Sequence, residues 1–524
     1  MLGVPALLLI ALVGYFLYSI FIYPDYVDPL RRMPGPPRPP GMLGRLTGHM
    51  AELINSKPMV PPLTWHIKYG PLYKTYGLWG KSRVGLGDPV LIKQVLVDDP
   101  YSYERPEKPN AQLIFGLGDG LLTAHGEPHA RMLSISKPAF AHSKVKLMIP
   151  KMQHYARQLG QLWGTLIDRA DDGRIMVDVL QHTTLATFDV IMDVGFGAKA
   201  NAVAREAEKL LGAPLIGYAK EAVKGVDADV DYHREFSTMM KIFKLSWDSL
   251  LPHFLRIHVF ARDLFRDYFE SAAKIDRLVD NVIASKREEL ARSDTKKDLP
   301  VDLLSNLMSG DSGGYEPLSD QELKDQCKQF IFAGHETTAG SLTWTLHLLA
   351  EHPDIQQRLR DELRDQNTDD AEVDFEQLES LPMLNAVVKE SLRMSTSVPA
   401  MPRQAIKDVQ LGGYTVPKGT WILINPGVIQ LDESTYKDAH KFIPDRFLEW
   451  SGPAGKERLM YMPFGAGRKS CIGQRVAVLE LKLMLANLMR DFEVGSVPDF
   501  QFEPKLRITL KPDPGMMLYI KRAL

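Results

Sequence analysis

No charged residue occurs between Met1 and Tyr23, a run rich in Leu, Ile, Val, Phe and Tyr. At 1.5 Å of rise per residue, a helix of this length crosses a hydrocarbon core of about 30 Å. Few soluble folds accept such a run without any polar face. A cleaved signal would carry a positive n-region and a small-residue cleavage site, and neither is present, so residues 1–24 are expected to be a membrane anchor. The first basic residues, Arg31 and Arg32, follow the span and place the remainder on the cytosolic side. Met33-Pro-Gly-Pro-Pro-Arg-Pro-Pro-Gly41 can form neither a helix nor a central strand, so residues 25–41 read as a stiff, extended connector. The body of the protein is expected over residues 42–524.

The chain is 45% hydrophobic and 24% charged, an ordinary globular composition, and a prior of about 150 residues per domain predicts three domains. A net charge of −2 gives no basic field for nucleic acid. Two cysteines, Cys327 and Cys471, provide no disulfide framework and suit a reducing compartment. Tyr69–Gly80 and Ser82–Gly87 predict a small hairpin, and Val409–Pro417 a second one turning at Gly412-Gly413. Helical spacing dominates elsewhere, over Ser143–Ala170, Val177–Val194 and Ile257–Arg292. Residues 200–250 read as helices and loops lining an entrance. No fixed-period repeat or low-complexity tract is present.

The best-defined helix start follows Pro317. Ser319 and Glu322 form a capping box, with Leu318 and Leu323 placed for a hydrophobic staple. The apolar pattern runs to His352 and stops at Pro353, a helix roughly 50 Å long by its rise per residue. Gly334-His335-Glu336-Thr337-Thr338 interrupts it with polar side chains. Cys327, earlier on this helix, reads as a packing residue.

Cys471 lies in Phe464-Gly-Ala-Gly-Arg-Lys-Ser-Cys-Ile-Gly473, just before a helical run from Val476 to Met489. Gly465, Gly467 and Gly473 let the backbone adopt positive φ and bring peptide N–H groups toward the sulfur. With the positive end of the following helix, these are expected to pull the thiol below its free value of roughly 8.5 and make it a metal ligand. No CxxC pair or His/Cys cluster offers partners for zinc or an iron–sulfur cluster, so a single axial thiolate on haem iron fits best.

Phe464-x-x-Gly467-x-Lys469-x-Cys471-x-Gly473 resembles the haem-ligand loop of the cytochrome P450 superfamily, with Lys469 where the family usually has Arg. Lys keeps the charge but not the bidentate fork. Ala333-Gly-x-Glu-Thr-Thr338 is similar to the family's distal-helix motif. Glu390-Ser-Leu-Arg393, with Arg446 in Pro444-Asp-Arg-Phe447, resembles its buried charge triad. These motifs occur in the family's order, and the resemblance covers residues 34–524. It implies a mainly helical fold with small β-sheets, a single catalytic domain in place of three, and one haem b held by Cys471.

By the same resemblance, Arg403 binds a haem propionate, and Ala333, Val398, Ala400 and Met401 line the substrate pocket. His129 and Arg131 occupy the region where many members carry Trp-x-x-x-Arg against the propionates, and His129-Ala-Arg131 looks more like fungal members. Thr337 would hydrogen-bond the reduced oxygen species, Glu336 would organise the water relay that resupplies protons, and Gly334 would leave room for dioxygen. Cys471 would push electron density toward the iron.

The resemblance thus implies a single-pass endoplasmic-reticulum enzyme that oxidises a lipophilic small molecule, terpenoids of specialised metabolism being one class. Electrons would come from NADPH through a cytochrome P450 reductase, with cytochrome b5 as a further partner, steered by cations such as Lys137, Arg468, Lys469 and Arg475. Two other functions share the haem-thiolate motif: an isomerase or dehydratase that needs no dioxygen, and a non-enzymatic haem carrier.

Overall fold

The computed structural model of the chain describes residues 4–215, 226, 230–240, 262–292, 302–308, 314–365, 375–448 and 459–524. The fold is mainly helical with small sheets, and its axis is the helix Asp320–Glu351, 32 residues long. Both halves of the capping box form at its start: Glu322 N donates to Ser319 Oγ and Ser319 N to the Glu322 carboxylate. His352 caps the other end, before Pro353 opens the next helix, Pro353–Asp365.

The helix Val179–Phe196 lies along this axis. Gly334 makes the close approach possible, because a Cβ there would sit 2.6 Å from Ile191 Cγ1. Hydroxyls stitch the two helices together: Thr183 Oγ1 and Thr343 Oγ1 share a hydrogen bond of 2.9 Å, and Thr187 Oγ1 donates to the His335 carbonyl at 3.1 Å. The glycine expected to leave room for dioxygen therefore also seats a neighbouring helix.

Several element boundaries differ from the periodicity. The run Ser143–Ala170 is two helices, His142–Lys146 and Ile149–Asp168, because Pro150 lacks an N–H and is tolerated only in a first turn. Residues Arg174–Asp178 form a strand paired with Met517–Lys521, and the next helix starts at Val179, with the Asp178 carboxylate accepting from Leu180 N. Of the run expected over Ile257–Arg292, the described part is the helix Arg262–Ala291. In the 200–250 region the helices Ala202–Leu211 and Tyr232–Met240 are present, and the remainder lies mostly outside the described residues.

Both expected hairpins form. Leu72–Tyr76 pairs with Ser82–Leu86 and continues through Trp421–Ile424, Met401–Ala405 and Tyr103–Glu104 as a five-stranded sheet. Val409–Leu411 pairs with Tyr414–Val416 around Gly412-Gly413, both at positive φ. A third hairpin, Glu503–Leu506 with Leu510–Asp513, carries its tip to the middle of the long helix. Leu510 holds the tip there: its N–H donates to the Ser397 carbonyl at 2.9 Å, and its carbonyl accepts from Trp344 Nε1 at 3.1 Å.

Among the described residues, one helical stretch, Ala6–Val27, is long and apolar enough to cross a membrane. It continues past Pro24 in π-helical turns, and its lower end is packed on the body. Ile20 and Pro24 are buried, Phe16 meets Trp79 edge to face, and Arg38 and Arg45 both reach the Asp25 carboxylate. Of the connector expected over 25–41, residues 25–27 end the π-helical turns and Pro29–Arg32 form a 3-10 turn, and the extended part that follows is not free. Pro34 O accepts from Lys74 N at 2.7 Å, and Gly35 runs so close to Lys74 that a Cβ there would clash with its backbone.

Glu390, Arg393 and Arg446 form one network. Glu390 and Arg393 are fully buried; the carboxylate accepts from Arg393 Nε at 2.7 Å, Arg446 Nε at 3.0 Å and Ile443 N at 2.9 Å. Arg393 also donates to the carbonyls of Gln430 and Ala439 at 2.6 and 2.7 Å. Removing one member strands the others in low dielectric. Arg393→Ala is expected to cost roughly 3–5 kcal/mol, read as a lower denaturant midpoint in equilibrium unfolding.

Candidate functional site

The loop before the C-terminal helix Gln474–Asp491 turns on two glycines, Gly465 at φ 71 and Gly467 at φ 72. Gly473 departs from expectation: its φ is −84, and a side chain there would meet Phe140 and the Cys471 sulfur only at ordinary contact distance. Gly467, unlike Gly473, does not line the cavity that Cys471 faces. A Cβ there would lie 1.8 Å from the Leu96 carbonyl, so this glycine packs the loop onto the neighbouring segment. Cys471 N donates to Phe464 O at 2.9 Å, which closes the loop.

The Cys471 side chain is accessible, but to an interior cavity of about 360 Å³. That enclosure corrects the expected thiolate bias. Burial pushes the thiol up, and the opposing pull of the Gly473 amide is weaker. In this loop, an anionic sulfur needs a cation bound to it. Among the described residues no group of three or more His, Cys, Asp or Glu side chains could hold a metal. Cys327 is buried with its thiol pushed up, an inert packing residue.

Phe464, Lys469 and Gly473 share the cavity wall with Ala333, Thr337, Val398, Ala400 and Met401. Thr337 Oγ1 donates to the Ala333 carbonyl at 2.8 Å, one turn back on the helix. Glu336, the next residue, does not line this cavity. Its carboxylate accepts from Thr509 Oγ1 at 3.0 Å and Lys511 Nζ at 2.7 Å, facing the third hairpin. The carboxylate expected to organise a water relay therefore lies outside the cavity wall.

One end of the cavity is crowded with cations. Arg105, Arg403 and Lys469 line it, and each is depressed by burial, to about 10, 9 and 8 respectively; the neighbouring guanidinium groups add to this for Arg403 and Lys469. His129 also lines it, and its pKa is lowered to about 4 by burial and then by Lys469 and Arg105. His125, lowered to about 4 by burial and then by the same cations, stands 3.4 Å from Lys469 Nζ and 3.2 Å from Glu104. Cations held this way in low dielectric call for an anionic guest. The propionates of a haem whose iron takes Cys471 fit that demand. Arg105 and His125 carried no motif; they enter from other segments of the fold.

Arg131 corrects another expectation. It turns away from the cavity, donating to Glu322 Oε1 at 2.6 Å and to the Pro317 carbonyl at 2.7 Å, and so braces the start of the long helix. The Arg131 bond, opposed by some desolvation, holds Glu322 down at about 2 against an ordinary 4.5. A depressed carboxylate stabilises the fold above its unfolded pKa and loses that effect as pH falls through its folded value. Glu322→Gln should thus lower the urea midpoint at neutral pH, with the gap to the parent closing between about pH 4.5 and 2. For the cation cluster, Arg403→Met is expected to hasten haem transfer to an acceptor apoprotein at least about 10-fold, equivalent to ~1.4 kcal/mol.

The family model described as Cytochrome P450 matches residues 36–519. The chain is 28% identical to "Cytochrome P450 monooxygenase sphH" of Aspergillus fumigatus, covering 96% of this chain and 90% of the relative. It is also 28% identical to "Cytochrome P450 monooxygenase 91" of Postia placenta, covering 96% and 95%. "Cytokinin hydroxylase" of Arabidopsis thaliana is 28% identical over 88% of this chain and 83% of the relative.

Proposed function

The chain belongs to the cytochrome P450 family and is a monooxygenase enzyme of it, and we propose that it inserts one oxygen atom into an apolar small molecule bound beside Cys471. The observation that carries this reading is one cavity in which a free cysteine thiol, a threonine hydroxyl and a cluster of cations share the walls. Haem iron, when bound by Cys471, supplies the activation of dioxygen.

The remaining work falls to the chain. Arg105, Arg403 and Lys469 neutralise the propionates and fix the ring's orientation. His129, neutral at physiological pH because its cationic form is disfavoured twice over, donates or accepts a hydrogen bond without adding charge. Thr337, Thr338 and Ser341 of the long helix line the cavity, and Thr337 is the hydroxyl proposed to give a proton there. To do so its Oγ1–H must swing from the Ala333 carbonyl into the cavity. Ala333, Val398, Ala400 and Met401 offer no charge to a substrate, and they join Leu133, Ile191 and Phe332 in excluding water.

An uncharged terpenoid, steroid or fatty-acyl skeleton suits such walls. Specialised metabolism is the proposed setting. NADPH-cytochrome P450 reductase is the proposed electron source, with cytochrome b5 as an auxiliary. Lys137, Arg468 and Arg475 are the exposed cations of the steering set. Lys469 leaves that set because it is turned into the cavity, and Arg468 is bound to the Tyr101 hydroxyl at 2.9 Å. The apolar helix Ala6–Val27 supports an anchor in the endoplasmic-reticulum membrane with a cytosolic body.

In the purified, reduced protein, carbon monoxide should produce the red-shifted absorption of thiolate ligation, and Cys471→Ser should lose it. A parent protein without that band would overturn the reading. Thr337→Ala should keep the band yet release most reducing equivalents as peroxide, a loss of coupling of about 10-fold or more measured per nicotinamide oxidised.

A further inference from the structure

A second cavity, of about 410 Å³, adjoins the first. The two share three wall residues, Phe332, Ile508 and Thr509. The outer cavity is polar, lined by His233, Arg234, Glu336, Arg507 and Lys511, and Arg234 and Arg507 at its walls are exposed to solvent. Glu336 lines only the outer cavity and Thr337 only the inner one. The helix therefore does not itself connect its carboxylate to the space above Cys471. Of the three shared residues, Phe332 and Ile508 cannot carry a proton. Thr509 can.

We propose that the Thr509 hydroxyl relays protons from Glu336 into the haem cavity, joining the outer, water-facing cavity to the site of oxygen chemistry. This rests on the monooxygenase reading above, since only an oxygen-reducing site consumes protons there. Thr509 is 4% exposed, at the tip of the third hairpin, which Leu510 pins to Ser397 and Trp344. Its Oγ1 donates to Glu336 Oε1 at 3.0 Å, while Lys511 Nζ, on the same hairpin, donates to Oε2 at 2.7 Å. One short turn thus supplies both the relay hydroxyl and the cation that orients the carboxylate.

At rest Glu336 is ionised. Burial would raise its pKa, but Lys511, His335 and the Thr509 hydrogen bond together outweigh burial and leave it below the ordinary value. In the transfer, a hydronium ion of the outer cavity protonates the Glu336 carboxylate and is left as water, and the Thr509 hydroxyl, released from its acceptor, turns about Cβ–Oγ1 toward the inner cavity. The Thr509 hydroxyl then gives its own proton to an acceptor in the inner cavity and takes the carboxylic proton in its place. Glu336 returns to carboxylate, and the Thr509 hydroxyl is left donating to it as at rest. One proton crosses, no bond to carbon changes, and the electrons come separately from the reductase.

The test uses the full-length, haem-loaded protein with a reductase and two substitutions, Thr509→Val, which keeps shape, and Thr509→Ser, which keeps the hydroxyl. In the resting protein, the infrared carboxylate band that disappears in Glu336→Gln should shift in T509V and return in T509S. In turnover, T509V should raise peroxide released per nicotinamide about fivefold or more and change the solvent deuterium effect, and T509S should restore both. Should T509V fail to retain haem, Thr509→Ala replaces it. Parental coupling in T509V, or a carboxylate band it does not move, overturns the relay while the carbon monoxide signature still stands. Loss of that signature in the parent would instead bring down the monooxygenase reading.

Discussion

Arg393 is wholly buried, and five hydrogen bonds leave its guanidinium without a free direction. Two go to Glu390 on its own helix, and three go to carbonyls of the segment that leads toward the cysteine loop. That segment has little regular structure of its own to hold it. Its course is fixed because a planar, permanently charged group in low dielectric tolerates few geometries. Gln430 extends the same logic, with its side chain donating to the Arg393 carbonyl and accepting from Met462 N, two residues before Phe464. The position of Cys471 is thus set by polar contacts some distance from the cavity it serves.

The cavity follows a different rule. Its walls come from helices whose approach is governed by missing atoms, as at Gly334 against Ile191, and its charged end is governed by surplus cations. Burial raises the energy of the thiolate and of each guanidinium or ammonium group alike. A ring that carries a metal for the sulfur and carboxylates for the cations relieves both demands together. The site is in this sense incomplete as polypeptide, and its electrostatics specify what completes it.

Local chemistry was legible in the sequence where one segment contains the whole feature. The capping box at Ser319, the helix stop at Pro353, the turn at Gly412-Gly413 and the loop holding Cys471 each depend on neighbours within a few residues. Direction was not legible, because successive helical residues are turned by about 100°. Glu336 and Thr337 are adjacent in sequence and face separate cavities, and His129 and Arg131, two apart, point into and away from the site. Arg105, His125 and Thr509 were invisible for another reason. Each reaches the site from a different part of the chain, and nothing in its immediate surroundings marks it.

The lower turns of the N-terminal helix are clamped by Arg38 and Arg45 on Asp25, by Ile20 and Pro24 in the interior, and by Phe16 against Trp79. A segment fixed in this way acts as a handle, not a tether. Any tilt or roll of the apolar helix must carry Trp79, in the turn between the first two strands of the five-stranded sheet, and that sheet also bears Met401 and Arg403 of the inner cavity wall. A joint between Tyr18 and Arg45 is thereby coupled, through one sheet, to cavity residues more than 350 positions further along the chain.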